Sequence, residues 1–382
     1  MSSKIKLCHG CTSSGRNCRR VVKNGSYCFQ HLPWQIGGHD PRQLIRLSGV
    51  NDLYFYTNVL GRKILLLGES HDFEGMCSPT EDTYLVEDYL WDLSVNAPEC
   101  LDIFIERPRY ASDIPKHRSR DKPSSPLEKI EKKFESSELP SNLRLHQVDI
   151  RHYYDLKKSV YPDRFFLLDE VIDGIRTKTI SDDGIRNIKL FVKEHIEDME
   201  MIAKYLIGID TTPQNKTHYH NFVIDIAKSG HIEHRYYQER DDAFLHAIHK
   251  EIHKRLNKLD PRINGKEFVN SIIETFTEEI NTINPYETLR DLTDIIMNTY
   301  TLLRLFTHFD QSKSHGPIGC QNMDIKNCVI YSGSAHTLFF SQFIRLLGSY
   351  DSPDIGEYHD VDDDDKCIIF EEPFDFFRGK PR

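Results

Sequence analysis

The chain has 382 residues, and 49 Lys and Arg against 59 Asp and Glu give it a formal net charge of −10. That balance excludes a globally basic nucleic-acid coat. A content of 38 % hydrophobic and 11 % aromatic residues supplies at least one full core and excludes global disorder. No stretch approaches the roughly 18 apolar residues of a membrane span, and Met1–Cys8 has no apolar core of signal-peptide length. The expectation is a soluble, intracellular chain of two or three domains, in a cell or a virus particle.

The first segment stands apart. Lys4, Lys6, Arg16, Arg19, Arg20 and Lys23 meet no acidic residue before Asp40, and Cys8, Cys11, Cys18 and Cys28 cluster there, while Cys77, Cys100, Cys320, Cys328 and Cys367 are scattered. Such clustering argues for a metal knuckle rather than a disulfide scaffold. Residues 8–31 hold too few apolar side chains to fold unaided, and a tetrahedral zinc ion would supply the missing stability. Its donors are Cys18, Cys28 and His31 plus one of Cys8 or Cys11, since Cys28-x2-His31 is compact enough to bite one ion.

This stretch resembles a small family of Cys3His knuckles, written C-x-G-x-T-x2-G-x2-C followed by Y-C-x2-H, that are appended to plant, fungal and large-DNA-virus proteins. Gly10, Thr12 and Gly15 fit that pattern, which implies Cys8 as the ligand and Cys11 as a bystander. Six positive charges on so small a module predict weak, salt-sensitive contact with phosphates or a protein partner, not sequence reading. The module is bounded as 1–33, and Pro33, Trp34 and Gly37-Gly38 mark a linker over 34–51.

From Asp52 the pattern is that of an α/β domain extending to residue 350. Leu53–Tyr56 and Lys63–Leu67, separated by a turn at Asn58–Gly61, read as a hairpin whose second strand is buried on both faces. Leu101–Ile105, Leu143–Val148 and Cys328–Tyr331 read as further strands with helical segments between them, which predicts a central sheet with flanking helices. Residues 181–306 are helical in pattern, with apolar residues at three- and four-residue intervals in Ile188–Ile207 and Ile232–Leu256, and form a long helical insertion. Thr337–Leu347 reads as a helix, and 351–382 as an acidic tail whose run to Lys366 is a solvated loop.

The strand ends carry the chemistry. Leu67-Gly68-Glu69-Ser70-His71-Asp72 and Tyr331-Ser332-Gly333-Ser334-Ala335-His336 each close a strand with Gly-x-x-His, at the edge where α/β sheets bind ligands. Leu101–Ile105 runs into Glu106-Arg107-Pro108-Arg109, and Leu143–Val148 into Asp149-Ile150-Arg151-His152. If the two histidine-bearing strands are neighbours, the imidazoles converge as metal ligands or as a base and a polariser. Asp72 and Asp149 read as caps or hydrogen-bond partners. His246, His249 and His253, at i, i+3 and i+7, read as a solvated histidine-rich face.

On these residues the chain resembles the broad superfamily of TraB, TIKI proteases, ChaN and erythromycin esterases, known by two Gly-x-x-His motifs flanking a strand-end Glu and a central Arg. Gly68-Glu69-Ser70-His71-Asp72 is most similar to the ChaN version, and Gln238-Glu239-Arg240-Asp241 to the Glu-Arg-Asn/Asp element of TraB-type members. The resemblance implies His71 and His336 as metal ligands or acid/base residues, Glu69 and Glu106 as supporting carboxylates or bases, and Arg240 as a substrate or oxyanion contact. The mechanism these residues support has His71 and His336 bind Mn, Co or Zn, whose water loses a proton to Glu69 or Glu106 and attacks a peptide, ester or amide carbonyl, in a peptide or small-molecule substrate, stabilised by Arg240 or Arg109. The alternative is a haem or small-ligand binder without catalysis, or a scaffold whose knuckle engages a protein or nucleic-acid partner. Glu69-x-His71 is one residue shorter than the Glu-x-x-His of the esterases. No phosphate loop, dinucleotide fingerprint or Gly-x-Ser-x-Gly elbow occurs.

The knuckle reading predicts one equivalent of zinc that disappears when Cys18→Ser and Cys28→Ser are combined, measured by elemental analysis of the purified chain. An unchanged zinc content would refute it.

Overall fold

The computed structural model describes residues 44–69, 83–108, 126–135, 138–150, 167–232, 237–280, 284–308, 320, 324–348, 355–358 and 367–371. The expected zinc ligands Cys8, Cys11, Cys18, Cys28 and His31 lie outside these residues, as do His71, Asp72, Arg109, Arg151 and His152.

The fold is mixed α/β. Strands β2 (Asp52–Val59) and β3 (Arg62–Glu69) pair antiparallel across a two-residue turn in which Leu60 and Gly61 have φ of 52° and 79°. This is the primed geometry that matches strand twist, and Asn58 Oδ1 accepts from the Gly61 N–H at 2.9 Å. Strands β5 (Leu101–Pro108), β6 (Leu143–Asp149) and β7 (Asn327–Gly333) run parallel to β3. With β8 (Ile355–Tyr358) on β2, the sheet order is β6-β5-β7-β3-β2-β8. The hairpin and the three later strands stand where the apolar runs place them.

Both ends differ from the sequence reading. Residues 44–48, read as linker, form β1 (Leu44–Ser48), and the segment read as acidic tail supplies β8 and β9 (Cys367–Glu371). β1 pairs antiparallel with β9 and parallel with β4 (Thr83–Leu85), making a second sheet of order β4-β1-β9. Four or five residues with little alternation give no periodic signal, and long-range pairing supplies what local propensity lacks. The cysteines also differ: Cys100 and Cys320 are joined by a disulfide across 220 residues, and Cys328 is a free, buried thiol.

Two apolar layers sandwich the large sheet. On one face, Leu65, Leu67, Ile103, Ile105 and Tyr331 pack with α1 (Val86–Asn96), α2 (Pro126–Glu135) and the small sheet. On the other, Ile64, Leu66, Phe104 and Ile330 pack with the helical layer. That layer comprises α3 (Leu167–Arg176), α4 (Asp182–Glu194), α5 (Met199–Leu206), α6 (Pro213–Ser229), α7 (Tyr237–Leu256), α8 (Gly265–Ile280), α9 (Pro285–Leu305) and α10 (Ser334–Gly348). Helix starts follow local rules: Ser181 caps α4 by accepting from the Gly184 N–H at 3.2 Å, and Thr212 caps α6 ahead of Pro213. The expected helical segment Ile188–Ile207 is broken at His195 by a short 3-10 turn, Ile196–Asp198. Among the described residues, no helix is long and apolar enough to cross a membrane.

Buried ions bolt the helical layer to the far end of the sheet. Asp102 is fully buried and accepts from Arg144 Nε and Nη2 at 2.7 and 2.8 Å and from His146 Nε2 at 2.6 Å. Arg304 on α9 donates to His146 Nδ1 at 2.6 Å, and since a guanidinium only donates, this fixes the tautomer with its proton on Nε2. Burial lowers the His146 pKa to about 4, while Asp102, although burial opposes it, is held below the ordinary carboxylate range by His146 and Arg144. Arg62, 1 % exposed, donates to Asp260 Oδ2 at 2.9 Å and lies over the Phe306 ring, tying the hairpin to the same layer.

His249, on the face read as solvated, turns inward against Gly208 while His246 and His253 stay exposed, and burial lowers its pKa to about 4. Both His146 and His249 are neutral when folded and ordinary when unfolded. The unfolded chain therefore binds more protons between pH about 6.5 and 4, and stability falls as pH falls through that window. Unfolding free energies from urea titrations at pH 7, 5.5 and 4.5 are expected to drop progressively, with His146 alone contributing about 3 kcal/mol across the full window. A flat profile would contradict neutral burial.

Candidate functional site

β7 is buried along its whole length and ends at Gly333, where α10 begins at Ser334. The first N–H groups of a helix have no intrahelical partner and must find one. The Gly333 N–H finds Glu106, whose Oε2 accepts at 2.7 Å from the neighbouring end of β5. His336, in the first turn of the helix, presents Nε2 to the other Glu106 oxygen at 3.2 Å and to Asp294 Oδ2 on α9 at 3.8 Å. Its Nδ1 donates to Asn298 Oδ1 at 2.7 Å. The ring is thus held at Nδ1 with Nε2 facing two carboxylates, and Glu106, Asp294 and His336 are all less than 10 % exposed.

The site opens on a cleft of about 250 Å3 between α8, α9 and α10. Glu278 comes from α8, Glu287, Arg290, Asp291, Asp294 and Asn298 from α9, and Ala335, His336, Leu338 and Gln342 from α10. Asp291 has its pKa raised to about 7, first by burial and then by the nearby Asp294 and Glu287 charges, against a lowering effect of Arg290.

The sequence-predicted residues separate. His336 and Glu106 are brought together. Glu69 keeps the parity of Leu65 and Leu67 and turns to the other layer, where its Oε2 lies 2.6 Å from the Tyr331 hydroxyl, itself 2.9 Å from the Gly49 carbonyl. Burial, then the Glu69 charge, pushes the Tyr331 phenol well above its ordinary range. Arg107 pairs with Glu131 on α2, away from His336. Asp149 closes β6 and is buried. Arg240 lies in α7, but its side chain and all of His71 are outside the described residues.

Gly68 of the first Gly-x-x-His is required by space. A Cβ there would stand 2.7 Å from Asp52 Oδ2 and 3.1 Å from Ser334 Cα, so glycine lets β2 and the start of α10 close on β3. Asp52, whose pKa burial raises against the effect of its Ser334 hydrogen bond, fills that gap.

Sequence reasoning missed Asp291, Asp294 and Asn298. Their signal was available as a polar i, i+3, i+7 stripe on α9, whose neighbours Leu292, Ile295 and Ile296 are buried. Comparison of the chain with protein-family models, curated proteins and solved structures yields no match.

Glu106→Ala strands the buried Gly333 N–H and is expected to cost about 1–3 kcal/mol in urea unfolding, whereas Glu106→Gln keeps an acceptor and loses about 1 kcal/mol or less. Equal losses in the two variants would show that the bond to Gly333 contributes little.

Proposed function

We propose that this cleft is a hydrolytic site acting on an ester, amide or peptide bond. The observation that carries the reading is the His336 imidazole, clamped by Asn298 and facing Glu106 and Asp294 at the carboxyl ends of parallel strands. That edge is where α/β sheets do chemistry, and a histidine among carboxylates is a ready proton-handling group. The ionisable and amide side chains that line the cleft favour a small polar substrate or peptide segment over haem.

The metal-assisted form anticipated from the motifs needs His71 beside His336. His336 suits a donor's part, since its second nitrogen is anchored by a neighbour as ligating histidines are. Among the described residues no group of three or more His, Cys, Asp or Glu is spaced to hold an ion, so His71 would have to complete the set. A bound Mn, Co or Zn would make its water acidic enough to attack near neutral pH. Arg240 enters only through the resemblance, as a contact to the developing oxyanion, and Glu69, turned to the other layer against Tyr331, stands outside the cleft.

Turnover of a panel of chromogenic esters and anilides, with and without added Mn, Co or Zn, tests the reading. His336→Ala and Glu106→Gln are each expected to lose about 100-fold or more while keeping the wild-type circular dichroism spectrum. Full turnover in both folded variants would refute the site.

A further inference from the structure

We propose that Asp291 is the catalytic acid–base of the cleft, the group that takes a proton from the attacking water and returns it to the leaving atom. This deepens the hydrolytic reading and rests on it.

His336 is held at Nδ1 by Asn298 and turns Nε2 toward Glu106, whose other oxygen accepts from the Gly333 N–H. Asp294 is turned to His336 and to Arg290 Nε, each at 3.8 Å, with its side chain 7 % exposed. A group that exchanges protons with a substrate must touch it and be reset by solvent. Asp291, one turn before Asp294 on the same face of α9, lines the cleft with its side chain 16 % exposed. It is sheltered enough to be tuned and open enough to reach a ligand.

The groups around it are Glu287, Arg290 and Asp294 on its own helix, Glu278 on α8, His336 and Gln342 on α10, and Glu106 behind the imidazole. Arg290, 3.7 Å away, is its nearest cation, and its attraction is outweighed by burial and the flanking carboxylates, so both protonation states are populated near neutral pH.

The step balances without a co-reactant. Water forms a bond from its oxygen to the carbonyl carbon as one of its protons passes to the Asp291 carboxylate. The carbon–oxygen or carbon–nitrogen bond then breaks, its electron pair goes to the leaving atom, and Asp291 gives that atom the proton.

The test uses the full chain with 4-nitrophenyl acetate and phenyl acetate as probes, since 4-nitrophenolate leaves without a proton and phenolate leaves far less readily. Asp291→Asn is expected to cost tenfold or more beyond its effect on 4-nitrophenyl acetate when phenyl acetate is the substrate, and to abolish a pH limb near 7 that Asp291→Glu retains at a shifted midpoint. Carbon-13 NMR of aspartate carboxyls should show one resonance titrating near pH 7 that vanishes in Asp291→Asn. Equal losses on both esters, an unchanged pH limb, or an Asp291 resonance with an ordinary midpoint would overturn the assignment and leave the hydrolytic reading standing. A wild-type chain that titrates as expected but cleaves neither ester nor any member of the wider panel would sink the hydrolytic reading, and the catalytic role of Asp291 with it.

Discussion

A strand buried on both faces can carry polar chemistry only where it stops, and β7 is such a strand over all seven residues. Parallel neighbours β3 and β5 flank it, apolar layers cover it above and below, and its last residue must hand a backbone N–H to something. Glu106 meets that requirement from β5. Once a carboxylate is committed there, the first turn of α10 brings His336 to it, and the site follows from the backbone's own need. The burial that holds the sheet together therefore also concentrates the ionisable groups at its carboxyl edge.

The opposite end of the sheet explains why α9 arrives in register. Its 21 residues span roughly 31 Å. Arg304 is anchored near the start of β6 through His146 and Asp102, and Asn298, almost two turns earlier, is anchored to His336. A slip of one residue would rotate the helix by about 100° and carry Asp291, Asp294 and Asn298 away from the cleft together. Buried ion pairs are weak evidence for stability by themselves. Here the network at Asp102 acts as a register pin, and its neutral imidazole is what allows two guanidiniums and one carboxylate to share a dry space.

Much of this was legible in the chain. Continuous apolar runs announced β3, β5, β6 and β7, because strands covered on both faces need no polar alternation, and the turn at Asn58–Gly61 announced the hairpin. Gly-x-x-His at the end of β7 located His336, and strand-end position located Glu106. What was not legible depended on partners distant in sequence. β1, β8 and β9 are held by pairings across the chain, such as Leu44 with Glu371, and have no periodicity of their own. Glu69 looked equivalent to Glu106, but the parity of its strand sends it to the other layer, to Tyr331. The stripe on α9 was visible as a pattern, yet nothing local says which neighbour a polar stripe will face.

The bond between Cys100, just before β5, and Cys320, ahead of β7, at a sequence separation of 220, turns the chain between them into a covalent ring that contains β5, β6 and helices α2 to α9. A single backbone cut inside that ring separates no mass from the molecule while the sulfurs stay joined, whereas a cut outside it releases a fragment at once on unfolding. On a denaturing gel, nicks in the connections between those helices are therefore visible only when a reductant is present. A chain clipped within that ring is a two-piece protein that remains one connected object.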